Sequence, residues 1–264
     1  MMKSRKITIG LPVVVCVLFM AFLLFPKDHS FGKITKTELR FGENYINYVV
    51  PDQDTMAFNI LGVLKSDSSL QDLVTSVDTN NPNIKVVDYK ADTGTEHKGY
   101  KLVNIILTIE VLSDDIEKAD QLLIQFNNEE PIAFDMGLMV IQNDKGFQRH
   151  HLEPTGNYNV GYPRLELDVI LRNISSQSLT PVKISDLTNF MSYHFDNNVL
   201  IESKEEEQIQ IERFDVTKRD QYDFMTLTPI LEYTINEETY RYNMPGVIYG
   251  ILDQDTKKIE KILD

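Results

Sequence analysis

Residues 101–112 read KLVNIILTIEVL, a nearly unbroken run of β-branched and leucine side chains entered from Tyr100. Such a run reads as a central strand. Leu165, Leu167, Val169 and Leu171 alternate with Glu166, Asp168 and Arg172, interrupted once by Ile170. Ile209 and Ile211 alternate with Gln208, Gln210 and Glu212. A period of two places alternate side chains on opposite faces of a strand. Residues 56–64, 84–89, 132–141, 224–235 and 240–252 read the same way, so the expected fold is mainly β. Helical spacing is rarer. Leu70, Leu73, Val74 and Val77 stand at i, i+3, i+4 and i+7, with Ser66 or Asp67 as cap, and predict a short helix ended by 78–82. Ile116, Ala119, Leu123 and Phe126 predict a second, although 121–126 reads equally as a strand. Lys257 to Leu263 is expected to form one helical turn or to fray.

The N-terminus carries a different signal. Lys3, Arg5 and Lys6 lie within residues 1–6, and residues 7–25, ITIGLPVVVCVLFMAFLLF, are 19 uncharged positions. At 1.5 Å per residue a helix of that length spans about 28 Å, close to the hydrocarbon thickness of a bilayer. The expectation is a transmembrane anchor with residues 1–6 cytoplasmic and everything from Asp28 outside. Cleavage near Gly32, after Pro26 has ended the run, is the alternative, giving a secreted protein. Cys16 lies in mid-span behind Val15, which suits an apolar filler better than a lipidated residue.

Charge narrows the partners. The 264-residue chain has 42% hydrophobic and 25% charged residues and a net charge of −14. Four of its 26 basic residues precede Asp28, leaving 22 against all 40 acidic ones, a net −18. Nucleic acid is excluded as a partner, because phosphate neutralisation needs a basic face. One cysteine excludes an internal disulfide framework and any zinc site needing several thiolates. An exported part without thiols suits a Gram-positive envelope.

Gly146, Pro154, Gly156 and Asn157 cluster within 143–159, and a weak repeat relates 99–115 to 161–177. Both suggest two β-sandwich-like modules, 33–145 with one or two short helices and 146–264. Residues 165–190, LELDVILRNISSQSLTPVKISDLTNF, carry Asn173 and Ser175 at the end of a strand, then Pro181 and Val182, then Asp186 and Phe190. This segment resembles the immunoglobulin-like extracytoplasmic domains of Gram-positive exported proteins. The resemblance implies an immunoglobulin-like sandwich for 146–264 and a binding or structural role without a fixed ligand.

Chemistry-bearing clusters are few. His150, His151 and Glu153 offer two imidazoles and a carboxylate to a metal ion, yet neighbours on a strand point to opposite faces, so only a loop brings both histidines to one ion. His194 and Asp196 share a strand face as a proton-transfer pair, as half a metal site or, most commonly for such neighbours, as a surface polar pair. Asp52-Gln53-Asp54-Thr55 and Asp253-Gln254-Asp255-Thr256 repeat one acidic tetrapeptide, explained equally by weak calcium binding and by Asx turns. Lys204 to Glu207 reads as a solvated turn or edge. Tyr158, Tyr162, Tyr240 and Tyr242 are a candidate stacking platform for a glycan or, for the last two, core side chains. No phosphate loop, dinucleotide fingerprint or nucleophile elbow occurs. The expectation is therefore no cofactor, no catalysis, and an accessory protein held in the membrane by residues 7–25 and docking onto another membrane or envelope protein. A cell-wall or glycan binder is the alternative, and a hydrolase with a dispersed site is third.

Overall fold

The computed structural model describes residues 38–264, apart from 53, 71–72, 128, 146, 148–150, 158–163, 197–198 and 219–220. The expected cytoplasmic stub 1–6, the apolar run 7–25 with Cys16, and the cleavage point near Gly32 lie outside the described residues. Among those described, no helix is long and apolar enough to cross a membrane. Over the described residues the chain is mainly β, with eighteen strands numbered in chain order and one C-terminal helix.

Four sheets are formed. The first has the order β1 (Leu39–Phe41), β3 (Met56–Lys65), β6 (Tyr100–Val111) and β5 (Ile84–His97). The second has six strands: β18 (Val247–Tyr249), β15 (Phe224–Leu227), β2 (Asn44–Val50), β8 (Ile132–Asn143), β7 (Glu117–Phe126) and β4 (Val74–Thr79). The third is β13 (Glu206–Ile211), β10 (Leu167–Asn173) and β9 (Leu152–Thr155). The fourth is β14 (Asp215–Val216), β12 (Met191–His194), β11 (Thr180–Ser185), β16 (Ile230–Ile235) and β17 (Glu238–Asn243). The helix α1 is Asp255–Leu263.

The six-stranded sheet joins two cores because its central strand is buried on both faces. In β2, Ile46 and Val50 pack with Phe58, Ile60, Ile105 and Leu107 of the first sheet. From the opposite face of β2, Tyr45 packs with Val169, Leu171, Leu231 and Tyr233 of the third and fourth sheets. β2 pairs in parallel with both β8 and β15. Gly137 of β8 stands at φ +94°, and a Cβ there would lie 2.1 Å from the Asn44 carbonyl oxygen. Only glycine permits so close an approach of the two backbones. Outside the first sheet, Ile259 and Ile262 of α1 cover Leu61, Val63, Leu102 and Phe224.

Three expectations change here. Residues 74–79 are a strand, not the end of a helix: β-branched Val74, Thr75, Val77 and Thr79 favour the pleat, and β4 finds a partner edge in β7. The i, i+3, i+4, i+7 spacing was coincidental to burial of Leu70, Leu73 and Val77 in one core. Residues 117–126 are also a strand, with Leu122, Ile124 and Phe126 buried at period two and Ile116 exposed. The first 145 residues thus supply no helix among those described. Finally, the boundary at 145/146 does not coincide with a break in pairing. The readings 224–235 and 240–252 each divide between two sheets, at Thr228-Pro229 and at Met244-Pro245-Gly246. That exchange sends β15 and β18 into the sheet built around β2, so Ile34–Asp264 is one compact unit.

Candidate binding cleft

Where β15, β18 and α1 meet the end of the β10–β13 ladder, a cleft of about 510 Å³ opens. Leu165, Val216, Met225, Tyr222 and Tyr249 give it apolar and aromatic walls, and Arg164, Arg213, Glu212, Asp223 and Lys261 supply charge. Tyr222 stacks on Tyr45 with ring centres 4.6 Å apart, and Phe190 closes the cluster edge-on. Burial, reinforced by the negative charge of Glu43, raises the Tyr222 phenol pKa above its ordinary value. Burial likewise raises Asp223, tempered by the Glu43 N–H that it accepts at 3.4 Å and by Lys261. Lys261 is already engaged. Its Nζ donates to Asp253 at 2.6 Å and lies 5.6 Å from the Phe224 and Tyr249 rings.

A second open cleft of about 510 Å³ lies on the seam, between Tyr48, Pro51 and Met56 on one side and Leu152, Pro154, Tyr242, Asn243 and Met244 on the other. The Asn243 amide nitrogen and oxygen are both enclosed and find no hydrogen-bond partner among the described residues. From the 143–159 stretch, Leu152, Glu153 and Pro154 line this groove.

On the Tyr45 face of β2 a buried polar network wires the second core. Asp186, 3% exposed, accepts the backbone N–H groups of Thr188, Phe190 and Met191 at 2.9–3.1 Å, and the Tyr45 hydroxyl at 3.1 Å. Asn47 donates to that hydroxyl at 2.8 Å and accepts the Leu187 N–H at 3.0 Å. Burial, then the Asp186 charge, pushes the Tyr45 phenol far above its usual range, keeping it a hydrogen-bond donor. Of the residues carrying the immunoglobulin-like resemblance, Asp186 thus organises a loop, and Asn173 bonds Gln177 and Ile201 carbonyls at 2.8 and 3.0 Å while accepting from Ser175.

The other singled-out residues are placed as follows. His150, Tyr158 and Tyr162 lie outside the described residues. His151 Nδ1 is 2.9 Å from the Tyr233 hydroxyl, and its ring meets Tyr240 edge-on at 4.8 Å. Glu153 faces Arg172, which also binds Glu206. Among the described residues, no three His, Cys, Asp or Glu side chains are placed to hold a metal ion. His194 and Asp196 are exposed. Asp52 sits 3.6 Å from Lys145, which also holds Asp114 at 2.5 Å, and Asp253 pairs with Lys261, so both acidic tetrapeptides carry lysine ties. Glu206 and Glu207 begin β13, just after the Lys204 turn. Tyr242 is buried in the core, whereas half-buried Tyr240 stacks on Tyr233 and donates its hydroxyl to Glu238 at 2.6 Å. The cleft residues were missed because they come from four distant stretches with no shared spacing.

No protein-family model matches the chain, and no curated protein does. Among solved structures, the chain is similar to a protein of unknown function from Porphyromonas gingivalis W83, at 9% identity and a TM-score of 0.26, covering 80% of this chain and 99% of that one. At that score the likeness carries no argument about fold or function.

Proposed function

We propose that this chain is a membrane-anchored extracytoplasmic interaction protein that docks onto another membrane or envelope protein and catalyses nothing. The observation that carries this reading is the cleft beside α1. Val216, Met225 and Tyr249 on strands and Lys261 on the packed helix frame it, the loop residues Arg164, Arg213 and Tyr222 complete it, and Arg and Tyr are side chains enriched at protein contacts. The apolar run 7–25 behind Lys3, Arg5 and Lys6 supports anchoring with the β-rich part outside. The placement of β10 and β11 in facing sheets around one core is compatible with the immunoglobulin-like reading of 165–190.

The test is a photoreactive amino acid at Val216 or Tyr249 in the full-length chain, irradiated in native membranes. A discrete cross-linked protein at both positions, and none from Lys90 on the edge strand β5, is expected. Cross-linking equal at all three positions, or at none, defeats the reading. Protease added to intact protoplasts should remove the β-rich part; full protection would defeat the orientation.

A further inference from the structure

We infer that the cleft beside α1 is a carboxylate receptor whose occupant is an acidic peptide segment of the docking partner, gripped by Arg164 and Arg213. The inference rests on the docking reading above and adds the chemistry of what is docked.

Five arginines are described. Arg40 lies over the Tyr100 ring at 5.9 Å, Arg241 lies over Phe147 at 4.4 Å, and Arg172 bridges Glu153 and Glu206. The other two are Arg164 and Arg213. Both are exposed, neither guanidinium has an ion-pair or hydrogen-bond partner among the described residues, and both line this cleft. Their convergence follows from register. β10 and β13 pair antiparallel with Leu167 opposite Ile211, so Arg164 and Arg213 leave the ladder at the same end. A guanidinium offers five N–H donors in a planar fork that matches a carboxylate two bonds at a time.

The remaining lining selects among anions. Glu212 and Asp223 share the cleft with the arginines, and their charge opposes a doubly negative phosphate more than a single carboxylate. The same two groups can accept N–H donors, which a peptide backbone supplies. Leu165, Val216, Met225 and Tyr249 offer apolar wall to side chains lying between acids. The net −18 of the exported part repels acidic chains at long range. Screening confines that repulsion to about 8 Å at physiological salt, so local partners decide binding.

The experiment measures fluorescence anisotropy of a labelled dodecapeptide, Glu alternating with Val and Tyr, against its Gln counterpart. The protein is the full-length chain in neutral detergent. The Glu peptide should bind at least about tenfold tighter. Arg164→Gln with Arg213→Gln should erase that preference without moving the melting midpoint, and the corresponding lysine double variant should restore only part of it. Lys65→Gln with Lys118→Gln, exposed and outside the cleft, should leave it intact. Equal affinity for the two peptides, a preference that survives the arginine double variant, or displacement by inorganic phosphate at lower concentration than by unlabelled Glu peptide would each overturn the inference. Cross-linking at Val216 and Tyr249 alongside equal peptide affinities would leave docking standing and remove only the carboxylate chemistry. A Glu preference without any cross-link would remove the partner and retain the receptor.

Discussion

The two cores that meet at β2 are built differently. The core between the first and second sheets is aliphatic, and its fully buried aromatics are Phe58, Phe126 and Phe134. The core on the opposite face contains four buried tyrosines, Tyr45, Tyr222, Tyr233 and Tyr242. A buried phenol needs a hydrogen-bond partner, and partners are at hand: Asp186 and Thr188 at Tyr45, His151 at Tyr233, and at Tyr222 the exposed Gln221 amide, which donates to the phenol oxygen. One core is therefore held by volume and the other by volume plus a wired set of hydrogen bonds. Damage to the first should scale with removed methylenes, and damage to the second with orphaned polar groups.

The largest expected effect tests whether the cores are separable at all. Expressed alone, residues 146–264 retain β15 without its neighbour β2, exposing an apolar edge. The fragment should aggregate or melt without cooperativity in calorimetry. A soluble fragment with a sharp transition would instead make the tyrosine-rich core an independent module.

Leu107→Ala, at 0% exposure in the aliphatic core, should destabilise by about 3–4 kcal/mol, the cost of transfer plus cavity. Asp186→Ala, a comparable cut in the other core, should cost about 2–3 kcal/mol by stranding the Thr188, Phe190 and Met191 N–H groups, while the Tyr45 hydroxyl keeps Thr188. Tyr45→Phe should cost only about 1 kcal/mol, since Met191 N–H still serves the same carboxylate oxygen. Urea midpoints decide the order. A Tyr45→Phe loss as large as that of Asp186→Ala would mean that ring packing, not wiring, holds the second core.

The smallest effect sits outside both cores. Lys98 and then His97, each 3.2 Å from Glu260, hold the α1 carboxyl pKa below its ordinary value. A depressed folded pKa gives stability that is present above the ordinary carboxylate range and is lost as pH falls through the lowered value. Glu260→Gln should slightly lower the melting midpoint at neutral pH and match the parent at the acid end. A constant offset across pH would assign the loss to packing of α1.

The aliphatic core was the more legible from sequence. Tyr100–Leu112 is β6 to within one residue, because a run buried in a sheet interior announces itself by composition alone. β2 escaped notice: in Asn-Tyr-Ile-Asn-Tyr-Val-Val the buried asparagines Asn44 and Asn47 stand where a core strand is expected to be apolar. Their burial makes sense only with partners distant in sequence, Leu61 for Asn44 and Leu187 for Asn47. The cleft was illegible for the same reason. Arg164 and Arg213 meet through a ladder register, which no local spacing encodes.

The parallel pairing of β2 with β15 also sets a timetable. Asn44 lies beside Phe224, so a strand made among the first must wait for one made 180 residues later. Until those residues arrive, one edge of β2 has no ladder, however complete β3, β6 and β8 already are. Contacts of such long sequence separation slow folding. Closure of the molecule thus belongs to the finished chain rather than to its growing N-terminal half, and a nascent chain stalled before residue 224 displays β2 as an open edge to whatever lies nearby.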